Sequence, residues 1–189
     1  MRVITLAAST AAALTLAGCI DVDLTATVTG ADTVSLSGYT EVQTDVLNMM
    51  GGSDAFCNTE QGGTLEMTDA VARCNLLVEG PFSEVFVSRP GEPAPTATDL
   101  GDGTVRLSFP VGEMTADASE MRNDPQTLAM MRPMLEGHTF VMHIAGAEIL
   151  SSNGTISDDG TSASFEFPLV EVLNADYEIP ETFEAVVRY

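Results

Sequence analysis

A strict alternation of apolar and polar side chains over ten residues constrains the fold of this chain more than any other feature. The alternation begins directly after Cys19 and ends at Thr29. Its apolar positions are Ile20, Val22, Leu24, Ala26 and Val28. A period of two places these side chains on one face of an extended segment, so the sequence predicts a half-buried β-strand. A turn at Gly30 and a return strand ending at Gly38 are expected to follow.

The rest of the chain predicts further strands with helices between them. The segment from Thr40 to Gln43 matches a capping box, so a short helix is expected from Thr40 to the glycine pair at 51–52. Strands are expected at 74–78, 105–109, 138–145, 148–152, 162–169 and 183–189. Asn153-Gly154 is a favoured hairpin turn between two of these strands, and Asp158-Asp159-Gly160 is a second possible turn.

A methionine-rich stretch between residues 113 and 137 predicts the second helix. Asp124 followed by Pro125 is typical of a helix start, because proline at the first helical position loses no hydrogen bond. Leu128, Met131 and Leu135 then form an apolar stripe, and Pro133 is expected to kink or end the helix. Strand hairpins with interposed helices predict a single α+β domain, a mostly antiparallel sheet with a few helices packed on one face.

The first 18 residues have the features of a secretory signal peptide. Arg2 is their one charged residue, and a short apolar stretch leads to Leu16-Ala17-Gly18-Cys19. These four residues resemble the bacterial lipobox, in which the cysteine is acylated and becomes the first residue of the mature chain. We therefore expect residues 1–18 to be removed and residues 19–189 to form the lipid-anchored envelope domain.

Acylation at Cys19 would hold the domain on a membrane without a spanning helix. Each buried methylene contributes about 0.8 kcal/mol, so two or three long chains such as palmitate hold firmly. The predicted localisation is the bacterial cell envelope, with the domain extracytoplasmic and the periplasm as the expected compartment. Because the first strand starts one residue later, the domain is expected to lie directly on the lipid headgroups.

The two remaining cysteines are expected to form a structural disulfide. With Cys19 acylated, Cys57 and Cys74 are left as one pair, and an oxidising compartment favours their oxidation. The spacing matches no zinc or redox motif, since CxxC is absent. By the chain-entropy estimate, closing a loop of this length contributes roughly 3 kcal/mol.

Charge and motifs exclude several classes of function. The chain has 28 acidic and 7 basic residues, a net charge of −21, so it lacks the basic surface that nucleic acid binding needs. No nucleophile elbow, P-loop or HExxH motif occurs, so we expect no catalytic residues, no cofactor and no enzyme activity. The methionines with His138 and His143 could suggest Cu(I) binding. Because these two histidines are predicted on opposite faces of a strand, no metal site is expected.

The start and the late part of the mature chain resemble the LppM-type bacterial lipoprotein domain. The similar segments are 19–28 and 31–38, with 146–154 and 164–169 near the C-terminus. The cysteine pair, the proline-rich loop and the methionine-rich helix are not part of that resemblance. It implies a lipid-anchored envelope module without catalysis, for which binding of membrane glycolipids has been proposed. It supplies no functional residues to transfer.

Two hypotheses about function follow from the sequence. The first is a non-catalytic lipoprotein that binds a lipid or another amphiphilic ligand at the membrane surface, with Met130, Met131 and Met134 as candidate contacts. The alternative is a structural or assembly lipoprotein that contacts an envelope protein partner through its acidic face.

Overall fold

The alternating segment after Cys19 forms strand β1, Ile20–Gly30. The structure is a computed structural model that describes residues 20–49, 52–59, 62–86, 93–112 and 124–189. Ala26 and Val28 of β1 are buried, and Val22 and Leu24 pack against the same core. The predicted apolar face of the first strand is therefore confirmed.

Ten further strands and a few short helices follow β1 in the described residues. The strands are β2 Thr33–Gln43, β3 Gly63–Met67, β4 Val71–Pro81, β5 Thr96–Gly101, β6 Thr104–Phe109, β7 Thr139–Ala145, β8 Glu148–Ser152, β9 Thr155–Ile156, β10 Ser162–Pro168 and β11 Phe183–Arg188. The helices are α1 Thr44–Met49, α2 Ser53–Phe56, α3 Phe82–Val85, α4 Pro125–Leu135 and a 3₁₀ helix Leu169–Leu173.

The described strands form two sheets. Sheet A has seven strands in the order β3-β4-β2-β1-β7-β10-β9, and sheet B has four in the order β5-β6-β11-β8. Pairing is antiparallel except between β1 and β7, which run parallel and join the two parts of sheet A. The main core lies between the inner faces of the sheets, where Phe165 of sheet A stacks on Phe183 of sheet B.

The predicted α+β class is wrong. Strands make up about half of the described residues and helices are few, and the core is formed by one sheet against another rather than by helices on a sheet. The sequence contains both strand and helix patterns, but assignment of each strand to a sheet depends on long-range pairing. Local periodicity carries no information about that pairing.

The expected helix start at Thr40 is also wrong. Strand β2 continues to Gln43, since Thr40 pairs with Cys74 and Gln43 with Val71 of β4. Helix α1 begins only at Thr44. The sheet supplies hydrogen-bond partners for this backbone, so the side-chain capping pattern at 40–43 is not needed.

The hairpin predicted at Asn153-Gly154 is not formed, because the strands on its two sides belong to different sheets. Strand β8 pairs with β11 in sheet B, whereas β10 pairs with β7 and β9 in sheet A. The side chain of Asn153 donates to the carbonyl of Thr182 at 2.7 Å and accepts from the backbone N–H of Glu184 at 2.8 Å. The second predicted turn, at 158–160, joins β9 to β10.

Helix α4 starts as predicted. The carboxylate of Asp124 accepts from the N–H of Gln126 at 3.0 Å and from the hydroxyl of Thr127 at 2.6 Å. These bonds, that of Thr127 first, lower the pKa of Asp124. The helix ends at Leu135, two residues after Pro133.

Candidate functional site

The start of β1 fixes where a group attached to Cys19 would meet the fold. Cys19 and the predicted leader at 1–18 lie outside the described residues, and β1 begins at the next residue, Ile20. Ile20 pairs with Val42 near the end of β2, and Asp21 hydrogen-bonds Thr139 at the start of β7. We call this end of sheet A the anchor end.

A small apolar cluster, separate from the main core, lies at the anchor end. Val42, Leu47 and Ala72 are almost fully buried in it. Ile20, Phe56 and Leu65 pack against these three but are only partly buried. We name these six residues the anchor-end cluster.

Short helices and the disulfide hold the anchor-end cluster in place. Helix α1 contributes Leu47, and its first N–H, from Thr44, donates to the carbonyl of Ala70 at 3.1 Å. Cys57, directly after α2, is bonded to Cys74 of β4. The structure therefore contains the disulfide that the sequence predicts, and it ties Phe56 of α2 to the sheet.

Met67 extends this apolar surface toward solvent. It is the last residue of β3, pairs with Ala72, and lies on the same face of the strand as Leu65. Its side chain is 53% exposed. Exposed acids occur in the same segments, with Asp45 on α1, Asp54 on α2 and Asp69 in the turn between β3 and β4. The combination is a partly open apolar patch with acidic residues on neighbouring segments.

The structure places the three candidate methionines of α4 in different surroundings. Met131 packs against the main core with Leu128 and Leu135, so the predicted apolar stripe is confirmed. Met130 is 63% exposed, and Met134, one helical turn later, is half-buried. Ligand contact by Met130, Met131 and Met134 stays a prediction.

Both histidines pair with aspartates of β1, contrary to the expectation that they point away from each other. His138 Nδ1 lies 2.9 Å from Asp21 Oδ2, and His143 Nε2 lies 3.6 Å from Asp23 Oδ1. The expectation was wrong because His138 precedes β7 and does not follow the alternation of the strand. Groups of three or more side chains able to hold a metal ion are absent from the described part of the chain.

The outer face of sheet A continues these polar contacts. Arg73 of β4 lies 2.7 Å from Glu41 of β2 and stacks over the ring of Tyr39 at 4.2 Å. The hydrogen bond to Glu41 raises the pKa of Arg73. On β1 and β2, this face carries Asp21, Asp23 and Glu41, so it is predominantly acidic.

Sequence reasoning missed the anchor-end cluster. Leu65 and Met67 alternate over only three residues, and Phe56 stands alone beside Cys57. Their association depends on the position of α2 and on the pairing of β3 with β4. The predicted disulfide was the one sequence signal that brings these segments together.

Comparisons with known proteins give limited information. No protein-family model matches the chain, and no curated protein matches it. The chain is similar to the NMR structure of the folded domain of Mycobacterium tuberculosis LppM, with 11% identity, 90% of each chain covered and a TM-score of 0.48. This likeness assigns neither a family nor a function to the chain.

Within the ranges that the structure describes, no helix has both the length and the apolar character needed to cross a bilayer.

Proposed function

We propose that this chain is a non-catalytic bacterial lipoprotein, acylated at Cys19, whose β-rich domain binds amphiphilic molecules at the membrane surface. The signal-length leader ending at Leu16-Ala17-Gly18-Cys19 supports the acylation. Because β1 starts at the next residue, no linker separates the acylated position from the fold. The anchor end would therefore lie within a few ångströms of the lipid headgroups.

The partly open anchor-end cluster is the observation that supports the binding of amphiphilic molecules. Ile20, Phe56 and Leu65 leave part of their apolar surface uncovered, and Met67 beside them is mostly exposed. Apolar surface that contacts acyl chains instead of water gains about 25 cal/mol per Å². An apolar patch next to the acylated residue is thus the surface best suited to contact lipid tails.

The carboxylates on neighbouring segments affect which lipid headgroups this patch would approach. Asp45, Asp54 and Asp69 would repel anionic headgroups, since the described part of this end offers no compensating cluster of basic residues. Contact would then depend on apolar burial, with the acyl chains providing most of the affinity. The patch would orient the domain and receive an amphiphile from the leaflet.

Site-specific photo-crosslinking in intact cells tests this contact. A benzophenone amino acid at position 67 should form adducts with lipid, whereas the same group at position 77 should not. Leu77 is the matched control because it is 68% exposed but lies on the outer face of sheet A. Equal lipid labelling at both positions, or labelling at 77 alone, would contradict the proposal.

A second candidate function is contact with a protein partner through the acidic outer face of sheet A. The observation that favours it is that Asp21, Asp23, Glu41 and Glu166 share this face, on which side chains are half-exposed or exposed. A basic partner would be attracted to such a face, and salt would weaken the complex. Crosslinking from position 77 would then yield one dominant protein adduct that decreases as salt increases.

A further inference from the structure

A groove on sheet B, away from the anchor end, has features of a binding site. It forms where β8 leaves the sheet after Ser152. After Ser152, the side chain of Asn153 continues the hydrogen bonding to this edge of β11. It bonds to the backbone of both Thr182 and Glu184. The hydroxyl of Ser152 also donates to the carbonyl of Glu184 at 2.7 Å. Hydrogen bonds therefore fix the end of β8 against β11 at this groove.

The groove has a cavity volume of about 220 Å³. It is lined by Arg106, Ser151, Ser152, Asn153, Glu184 and the neighbouring residues of β11. Arg106, Val186 and Ser151 are cross-strand neighbours on β6, β11 and β8, so they form one row across the outer face of sheet B. This volume lies below the range of roughly 300–1,000 Å³ that is typical of sites for drug-sized ligands. A molecule of amino-acid size fits better.

The charges in the groove indicate the chemistry of its ligand. Within the described residues, Arg106 has no carboxylate within 4.0 Å, in contrast to Arg73 and Arg188, which are paired. Glu184 lines the same cavity. Arg106 and Glu184 therefore line one cavity without forming an ion pair with each other in the described part of the chain.

We propose that this groove binds a small zwitterion, such as a free α-amino acid. The guanidinium of Arg106 would donate two parallel hydrogen bonds to the ligand's carboxylate, the geometry in which arginine binds carboxylates most strongly. Glu184 would accept from the ligand's ammonium group. The ligand's side chain would lie over Val186, and the hydroxyl of Ser151 would be available as a further donor. This site is independent of the proposed membrane contact.

Chemical-shift mapping tests the proposal on the full mature lipoprotein in detergent micelles. Titration with L-alanine should shift the backbone amides of Ser151, Glu184 and Val186. The dissociation constant should be on the order of millimolar, because exposed ion pairs contribute little. N-acetylalanine, which lacks the ammonium, and alanine amide, which lacks the carboxylate, should each bind at least about fivefold more weakly.

Variants separate a specific site from general charge attraction. Arg106→Gln and Glu184→Gln should each weaken alanine binding at least about fivefold. Arg132→Gln is the matched control, since Arg132 is an exposed arginine on α4, and it should leave binding unchanged. The amide spectra of the variants also report whether the fold is intact. Shifts outside the groove, equal binding of the blocked analogues, or equal effects of the Arg106 and Arg132 variants would each overturn the proposal.

Discussion

Gly38 is a position at which the fold tolerates no side chain. It lies opposite Leu24 of β1 and has a φ of 140°, in a region that other residues rarely adopt. A Cβ atom built on Gly38 would overlap the backbone carbonyl of Asp23. The close approach of β2 to β1 therefore requires glycine here.

Replacing Gly38 tests this close approach. Gly38→Ala should lower the free energy of unfolding by about 2–3 kcal/mol, from the strained backbone and the contact with Asp23. Gly80→Ala in the neighbouring strand is the control, because its nearest contact would be Val85 at 3.8 Å. Urea unfolding of both variants measures the difference. A similar loss for both would show that the contact at Gly38 is unimportant.

Asp159 stabilises the turn between β9 and β10 through hydrogen bonds to its carboxylate. The hydroxyl of Ser157 donates to it at 2.7 Å, and the N–H of Thr161 donates at 3.0 Å. These bonds, that of Ser157 first, lower the pKa of Asp159 below its ordinary value of 3.8. The stabilisation is therefore present above this value and is lost as the pH falls through the lower, folded-state pKa.

The expected result for Asp159→Asn depends on pH. At pH 7 the variant should unfold at a lower urea concentration than the native chain, and the gap should narrow as the pH falls below the value for a free aspartate. Asp158→Asn, at the exposed neighbouring position, should leave the midpoint unchanged. A gap for Asp159→Asn that stays constant from pH 7 to acid would rule out the carboxylate as its cause.

Among the elements, those formed by local alternation or a clear helix start could be predicted from the sequence. Strand β1, the strand around Cys74, the strand ending at Phe109 and the start of α4 at Asp124 all occur as expected. In each case the local sequence alone indicates which face of the strand is buried or where the helix begins.

Elements whose form depends on a distant partner could not be predicted in this way. The segment at 40–43 carries a capping pattern but is a strand because β4 pairs with it. The expected turn at Asn153 is a crossing between sheets because β8 pairs with β11, some thirty residues later. The anchor-end cluster depends on the same kind of pairing, and so no single segment predicts it.

The disulfide connects two elements that are otherwise weakly joined at the anchor end. It links the residue after α2 to β4 and closes a loop with a sequence separation of 17. Replacing Cys57 and Cys74 together by serine should lower the free energy of unfolding by roughly 3 kcal/mol, because the unfolded chain gains entropy. Reducing the native protein should give the same loss in urea unfolding. An unchanged midpoint would contradict this role.

The two-sheet architecture places three candidate binding surfaces on different parts of the molecule. The anchor-end cluster lies where β1 begins, the acidic face lies on the outside of sheet A, and the groove at Arg106 lies on the outside of sheet B. The net charge of −21 favours orientations that keep the acidic face away from an anionic leaflet. Under the proposed function, the apolar patch beside Ile20 would be the surface turned toward the lipid.

If acyl chains on Cys19 anchor the domain as proposed, loss of this residue should release it. Cys19→Ser removes the thiol that would carry the acyl chains, and we expect the remaining apolar patch to be too small to hold the domain alone. We expect the variant in the soluble extracytoplasmic fraction and the native protein in the membrane fraction. Membrane retention of the variant would show that another part of the molecule is sufficient for anchoring.

The mass of the intact protein, purified from the membranes of the cells that produce it, reports directly whether Cys19 is acylated. We expect a chain of residues 19–189 that is heavier than its sequence mass by a diacylglyceryl group and, where the cell adds it, an amide-linked acyl chain. Fragmentation should place the added mass on Cys19. A chain that still begins at Met1, or an unmodified thiol at Cys19, would show that the proposed lipid anchor is wrong.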